Sequence, residues 1–103
     1  MLIGNPFVGN ISRSLNAQEV IQALRVDLAG ELEAIIVYEA HAGATTDERV
    51  KKVLSHIADE ERSHVGELEQ LIAILSPNDG EKTQQGRQAV TTLQQSNFQS
   101  QLQ

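Results

Sequence analysis

The apolar positions of this 103-residue chain fall into two long stripes. One runs Ile21, Leu24, Leu28, Glu31, Ile35, Tyr38, Ala42. The other runs Val50, Leu54, Ile57, Glu61, His64, Leu68, Leu71, Leu75. Steps of three and four place each set on one face of a helix. Asn16 is an N-cap with Glu19 three residues on, the pattern of a capping box, and Leu15 and Val20 fit a hydrophobic staple around it. The first helix is therefore expected from about Asn16 to about Ala42, stopping at Gly43. Thr45 and Glu48 form a second capping box, so the next helix begins almost at once. It continues to Leu75 or Ser76, with Pro77 and Gly80 as the stop. Two long helices on a tight connection make an antiparallel hairpin.

The flanks differ. Residues 1–15 carry Gly4, Pro6 and Gly9 and no period, and read as an extended arm. Residues 77–103 are rich in Gln, Thr and Ser. Ala89, Val90 and Leu93 mark a short third helix there, followed by a flexible tail beyond Gln94. Residues 16–76 are thus the hairpin domain of an all-α chain. Val20, Leu32, Ile36, Val53 and Ile72 widen the two stripes beyond what one neighbouring helix covers. A second copy of the chain meets that need most simply. Two hairpins related by a two-fold axis complete a four-helix bundle as a homodimer.

Charge and composition narrow the partners. A net charge of −6 argues against nucleic acid and anionic membrane and in favour of cations. The absence of cysteine removes disulfides, iron–sulfur clusters, thiolate zinc and thiol catalysis, and fits a reducing cytoplasm. No apolar run approaches the length of a membrane span. The apolar opening segment lacks a basic leader and is broken by Gly, Asn and Pro, so it does not read as a signal peptide. One Tyr, two Phe and no Trp leave little for stacking bases or sugars.

The chemistry lies where the stripes stop being apolar. Glu61 and His64 form Glu-x-x-His inside the second seam, and Glu31 interrupts the first. Two copies of this set give four carboxylates and two imidazoles, the ligand complement of di-iron carboxylate bundles. Counted from the turn, Glu31 and the Glu61/His64 pair are offset by roughly 6 to 10 Å along the hairpin. Long side chains close that gap within one hairpin, or a partner's helix does, and the offset leans toward a site shared between subunits. A purely structural Glu–His pair is the competing reading. Zinc hydrolysis is disfavoured because His-Glu-x-x-His is absent. Tyr38 is either a core tyrosine or a phenol close to a metal. Glu33 falls on another face and reads as a solvated charge, or as a cation access patch if symmetry gathers several copies. His41 and His56 read as surface histidines. Glu60, Glu67 and Glu69 read as solvated faces, and Asp59, Arg62 and Arg49 as ordinary helical ion pairs.

The segment Gly30-Glu31-Leu32-Glu33-Ala34-Ile35-Ile36-Val37-Tyr38, with Asp59-Glu60-Glu61-Arg62-Ser63-His64 downstream, resembles the encapsulated ferritins over residues 16–76. These are ferritin-like two-helix proteins carried as cargo in encapsulin nanocompartments. The resemblance implies hairpin dimers assembling into a ring. It implies ferroxidase chemistry at the subunit interface, with two irons held by Glu31, Glu61 and His64 from both partners. It also implies Tyr38 beside the centre, Glu33 at an outer access site, and residence inside a shell within the cytoplasm. Two features depart from the family. Gly30 stands where a second access glutamate is common, and residues 96–103 show no clear docking peptide of Gly-Ser-Leu type. Two other functions compete. One is a rubrerythrin-like peroxide reductase fed by a separate electron donor. The other is a non-enzymatic helical dimerisation module.

Overall fold

The computed structural model describes residues 13–102, with side chains through residue 97. The arm expected over residues 1–15 lies, up to residue 12, outside the described residues. Three helices follow in order: α1 (Ala17–Ala44), α2 (Glu48–Leu75) and α3 (Pro77–Leu102). The fold is all-helical and ferritin-like.

The first helix starts as its sequence dictates. The Asn16 side chain accepts a hydrogen bond from the Glu19 backbone N–H at 2.9 Å. The Glu19 carboxylate accepts one from the Asn16 N–H at 3.1 Å. Both first-turn donors are thereby satisfied. Arg13 clasps the same carboxylate, Nη1 to Oε1 at 2.8 Å, and with the Asn16 N–H it holds Glu19 down at about 2.

The second helix begins differently from expectation. Its N-cap is Asp47, not Thr45: the Asp47 side chain accepts from the N–H groups of Arg49 and Val50. Thr45 caps the C-terminus of α1, and its hydroxyl accepts the Asp47 N–H at 3.2 Å. The carboxylate wins the N-cap because it carries a full negative charge to the positive end of the helix. The connection is therefore residues 45–47 alone.

The chain also departs from expectation after Ser76. Pro77 does end α2, but it opens α3 as its first residue, where its missing N–H costs nothing. Helix α3 is 26 residues long rather than a short segment around Ala89 to Leu93, and it runs on past Gln94. Gly80 lies in its first turns because α2 is close by. A Cβ there would come within 3.0 Å of the Ala73 Cβ and 3.3 Å of its Cα. Arg25 of α1 reaches Asp79 at 2.6 Å and Arg87 reaches Glu69 of α2 at 2.9 Å, so α3 is tied to both hairpin helices at its base. A hydrogen bond with Ser76, aided by Arg25, keeps the Asp79 carboxyl below its usual range.

Packing within one chain is thin. Among the described residues only Ala42, Ala58 and Ile72 form the buried hydrophobic core. Leu32, Ile36, Val50, Val53, Leu71, Ile74 and Leu75 remain exposed. The accessible surface is 7853 Å² for 11.3 kDa. A compact monomer of that mass exposes about 5,700 Å². Among the described residues the lone chain leaves these aliphatic side chains uncovered.

Asn16→Ala is expected to destabilise α1 by about 1 kcal/mol, read as a lower Tm by circular dichroism. Because the Glu19 carboxyl is depressed in the fold, its stabilisation is complete above its ordinary value of 4.5. It is lost as pH falls toward about 2, so the Tm difference between wild type and Glu19→Gln should shrink over that window.

Candidate metal centre

Helix ends set the register of the site. Glu31 lies thirteen residues before Ala44, the last of α1, and Glu61 thirteen residues after Glu48, the first of α2. In an antiparallel hairpin, equal distances from the turn bring the two residues level. The offset of roughly 6 to 10 Å expected from the sequence is absent. It arose from counting the connection as axial length, whereas residues 45–47 cross between the helices.

The side chains converge accordingly. Ligand atoms of Glu31, Glu61 and His64 all lie within 4.8 Å of one another. His64 Nδ1 is 3.4 Å from Glu61 Oε2 and 3.6 Å from Glu31 Oε2. Both carboxylates thus address one ring nitrogen. Glu61 is 17% exposed, Glu31 27% and His64 44%. Two largely covered carboxylates sharing one imidazole are an incomplete arrangement. Four carboxylate oxygens have a single ring nitrogen between them, and partly covered anions call for cationic partners. The donor set of oxygens and one imidazole suits iron or manganese far better than copper(I) or thiophilic metals.

The neighbours frame this cluster. Tyr38 is half-buried on α1, two turns beyond Glu31, and Glu33 is exposed. His41 and His56 are exposed, as expected; His56 pairs with Glu60 at 2.5 Å on the surface of α2. Arg62 does more than the local ion pair with Asp59 at 3.0 Å that its spacing implies. It also pairs with Glu39 across the hairpin, next to Glu61 in sequence. Single-helix spacing could not reveal that bond, since its partner lies on the other helix.

Comparison with known proteins agrees with this fold. The family model described as ubiquinone biosynthesis protein COQ7 matches residues 18–77, which is the hairpin. An encapsulin nanocompartment cargo protein, EncC of Myxococcus xanthus, is 40% identical over 71% of this chain and 56% of its own length. A ferritin-like–encapsulin shell fusion protein of Pyrococcus furiosus is 36% identical over 90% of this chain and 27% of its own. This chain therefore spans about half of the first relative and about a quarter of the second. The solved encapsulated ferritin domain from Pyrococcus furiosus superposes with a TM-score of 0.76 at 35% identity, covering 86% of this chain and 91% of that one. A match of that extent exceeds the hairpin alone, so it takes in part of α3 as well.

The fold and its acidic seam define a ferritin-like protein of the di-iron oxidoreductase type, within the family that the COQ7 description covers. More narrowly, the chain belongs to the encapsulated ferritins.

Without metal, replacing Glu31, Glu61 and His64 together by leucine is expected to leave Tm unchanged or to raise it, because a partly covered polar cluster gives way to apolar packing. Saturating Fe(II), supplied anaerobically at about 100 times its Kd, should stabilise the wild type by about 2.7 kcal/mol and the triple variant not at all. Differential scanning calorimetry reads both.

Proposed function

We propose that two copies of this chain form a ferroxidase, oxidising Fe(II) to Fe(III) at a di-iron centre between subunits, in iron storage or detoxification within an encapsulin shell. The observation that carries this reading is the convergence of Glu31, Glu61 and His64 at the margin of an apolar face that one chain cannot cover. A two-fold partner both covers the face and doubles the set to four carboxylates and two imidazoles. Relatives named as encapsulin cargo, and one fused to a shell, support the compartment.

Iron is the substrate here. Four carboxylates balance the charge of two Fe(II) ions, which favours binding of the pair in a partly dehydrated site. The His64 Nδ1 directs one neutral donor to each ion, and the surrounding aliphatic side chains limit access of bulk water. Each Fe(II) gives up one electron. Dioxygen accepts the two, with two protons, and leaves as hydrogen peroxide. Oxidation then leaves two positive charges in excess of the carboxylates. That imbalance favours uptake of hydroxide from water, and hydrolysis of the Fe(III) is what draws the product away from the carboxylates. Tyr38, two turns along the same seam, is placed to hydrogen-bond a ligand at the margin of the centre. Glu33, on the outer side of α1, would draw cations toward it.

Metal-free protein loaded anaerobically with Fe(II) and exposed to air should oxidise iron rapidly, the fast phase saturating near one iron per chain. A Glu31→Ala/His64→Ala variant should fall to the buffer rate. Equal rates in the two proteins would remove the seam residues from the reaction.

A further inference from the structure

A guanidinium stands beside the acidic seam, where its charge opposes any incoming cation. Arg62 follows Glu61 directly in α2. Its Nη1 donates to Asp59 Oδ1 at 3.0 Å along the same helix, and its Nη2 donates to Glu39 Oε1 on α1. Asp59 thus steers the side chain, and Glu39 takes the other end of the fork across the hairpin. Two carboxylates outweigh the one positive charge, which offsets its cost to a metal site.

The hairpin has use for such a tie because little else resists sliding. Among the described residues the buried core is Ala42, Ala58 and Ile72, and two of these three present only a methyl group. Alanines make low ridges, so they set the spacing of two helices better than their axial register. Glu31 and Glu61 add a push, since two anions with ligand atoms within 4.8 Å repel each other until a cation sits between them.

The direction of the tie suits the task. Glu39 lies two turns nearer the connection than Glu31, whereas Arg62 lies one residue farther from it than Glu61. Helix side chains lean toward their own N-terminus, so Arg62 reaches toward the connection and Glu39 away from it. The bond therefore runs obliquely between the helices. An oblique tie stretches in proportion to any slide of one helix along the other, while a level contact at first barely changes. Arg62 and Glu39 are 51% and 47% exposed, so the pair shifts an equilibrium by about fivefold at most.

We propose that Arg62 is a positioning residue for the metal centre. Bound by Asp59 and Glu39, it locks α1 and α2 in the register that sets Glu31 level with Glu61 before any metal arrives. A register set in advance takes nothing from the free energy of binding. This inference deepens the reading of the seam as an iron site and rests on it. Latch and bare charge differ in sign. As a charge alone, Arg62 weakens cation binding and its removal tightens it. As a latch, its removal weakens binding.

The test uses the full chain with Arg62→Gln, Glu39→Gln, both together, and Arg62→Lys. Anaerobic titration with Fe(II) gives Kd, and thermal unfolding gives Tm. Arg62→Gln should bind Fe(II) about threefold more weakly and Glu39→Gln more weakly still, with the double variant between them. Arg62→Lys keeps a donor for Glu39 and should bind nearly as the wild type does. Unchanged or tighter binding by Arg62→Gln overturns the latch, as does a double variant restored to the wild-type Kd. A lower Tm with Kd unchanged makes the pair merely structural and also overturns it. The register is read separately, without metal. The chain has no cysteine, so spin labels at Ala29→Cys on α1 and Gln70→Cys on α2, both exposed positions, report the distance across one hairpin in labelled chains diluted with excess unlabelled chain. The distribution should broaden or shift on Arg62→Gln, and an unchanged distribution overturns the proposal. A wild type that binds no Fe(II), with label distances that still respond to Arg62→Gln, would count against the ferroxidase and leave the latch standing.

Discussion

Two helices joined by three residues can bury only one flank each, and the rest of this structure follows from that limit. The contact between α1 and α2 closes over Ala42, Ala58 and Ile72, and the aliphatic residues beyond it stay open. Hydrophobic burial is worth about 25 cal/mol per Å², so this uncovered surface is a strong drive toward association. The polar seam residues sit at the border of that surface. Glu61 and Glu31 are covered enough to need a cation and open enough to receive one.

Much of this was legible in the sequence, for identifiable reasons. The two helices follow from period, and Asn16 with Glu19 gave the first cap because that motif is read from adjacent residues. Glu31, Glu61 and His64 stood out because charged groups broke otherwise aliphatic seams. Position relative to the turn was less legible. Thr45 and Asp47 both qualify as caps, and only the geometry of the crossing shows Asp47 taking the role. Counting the connecting residues 45–47 as axial length was enough to create an offset that does not exist.

The third helix was read short because its sequence lacks an apolar stripe. Glutamine and threonine are acceptable in helices but provide no periodic signal, and Gly80 reads as a stop when only the chain is in view. Its role there is steric: α2 leaves no room for a side chain. Pro77 likewise serves as a terminator and an initiator at once. Cross-helix ion pairs such as Arg62–Glu39 and Arg25–Asp79 join residues far apart in sequence, and no local pattern announces them.

The level placement of Glu31 and Glu61, thirteen residues each from the facing helix ends, restricts how such a chain can vary in length. Adding one residue to α2 between the turn and Glu61 would rotate the carboxylate by about 100° and slide it by about 1.5 Å. Insertions between the turn and the site preserve the meeting point only if they keep the helical phase and are matched on both helices, as a pair of seven-residue blocks nearly does. The turn-side arms of the hairpin are therefore quantised in length, whereas the helices on the far side of the site can grow or shrink without moving Glu31 away from Glu61.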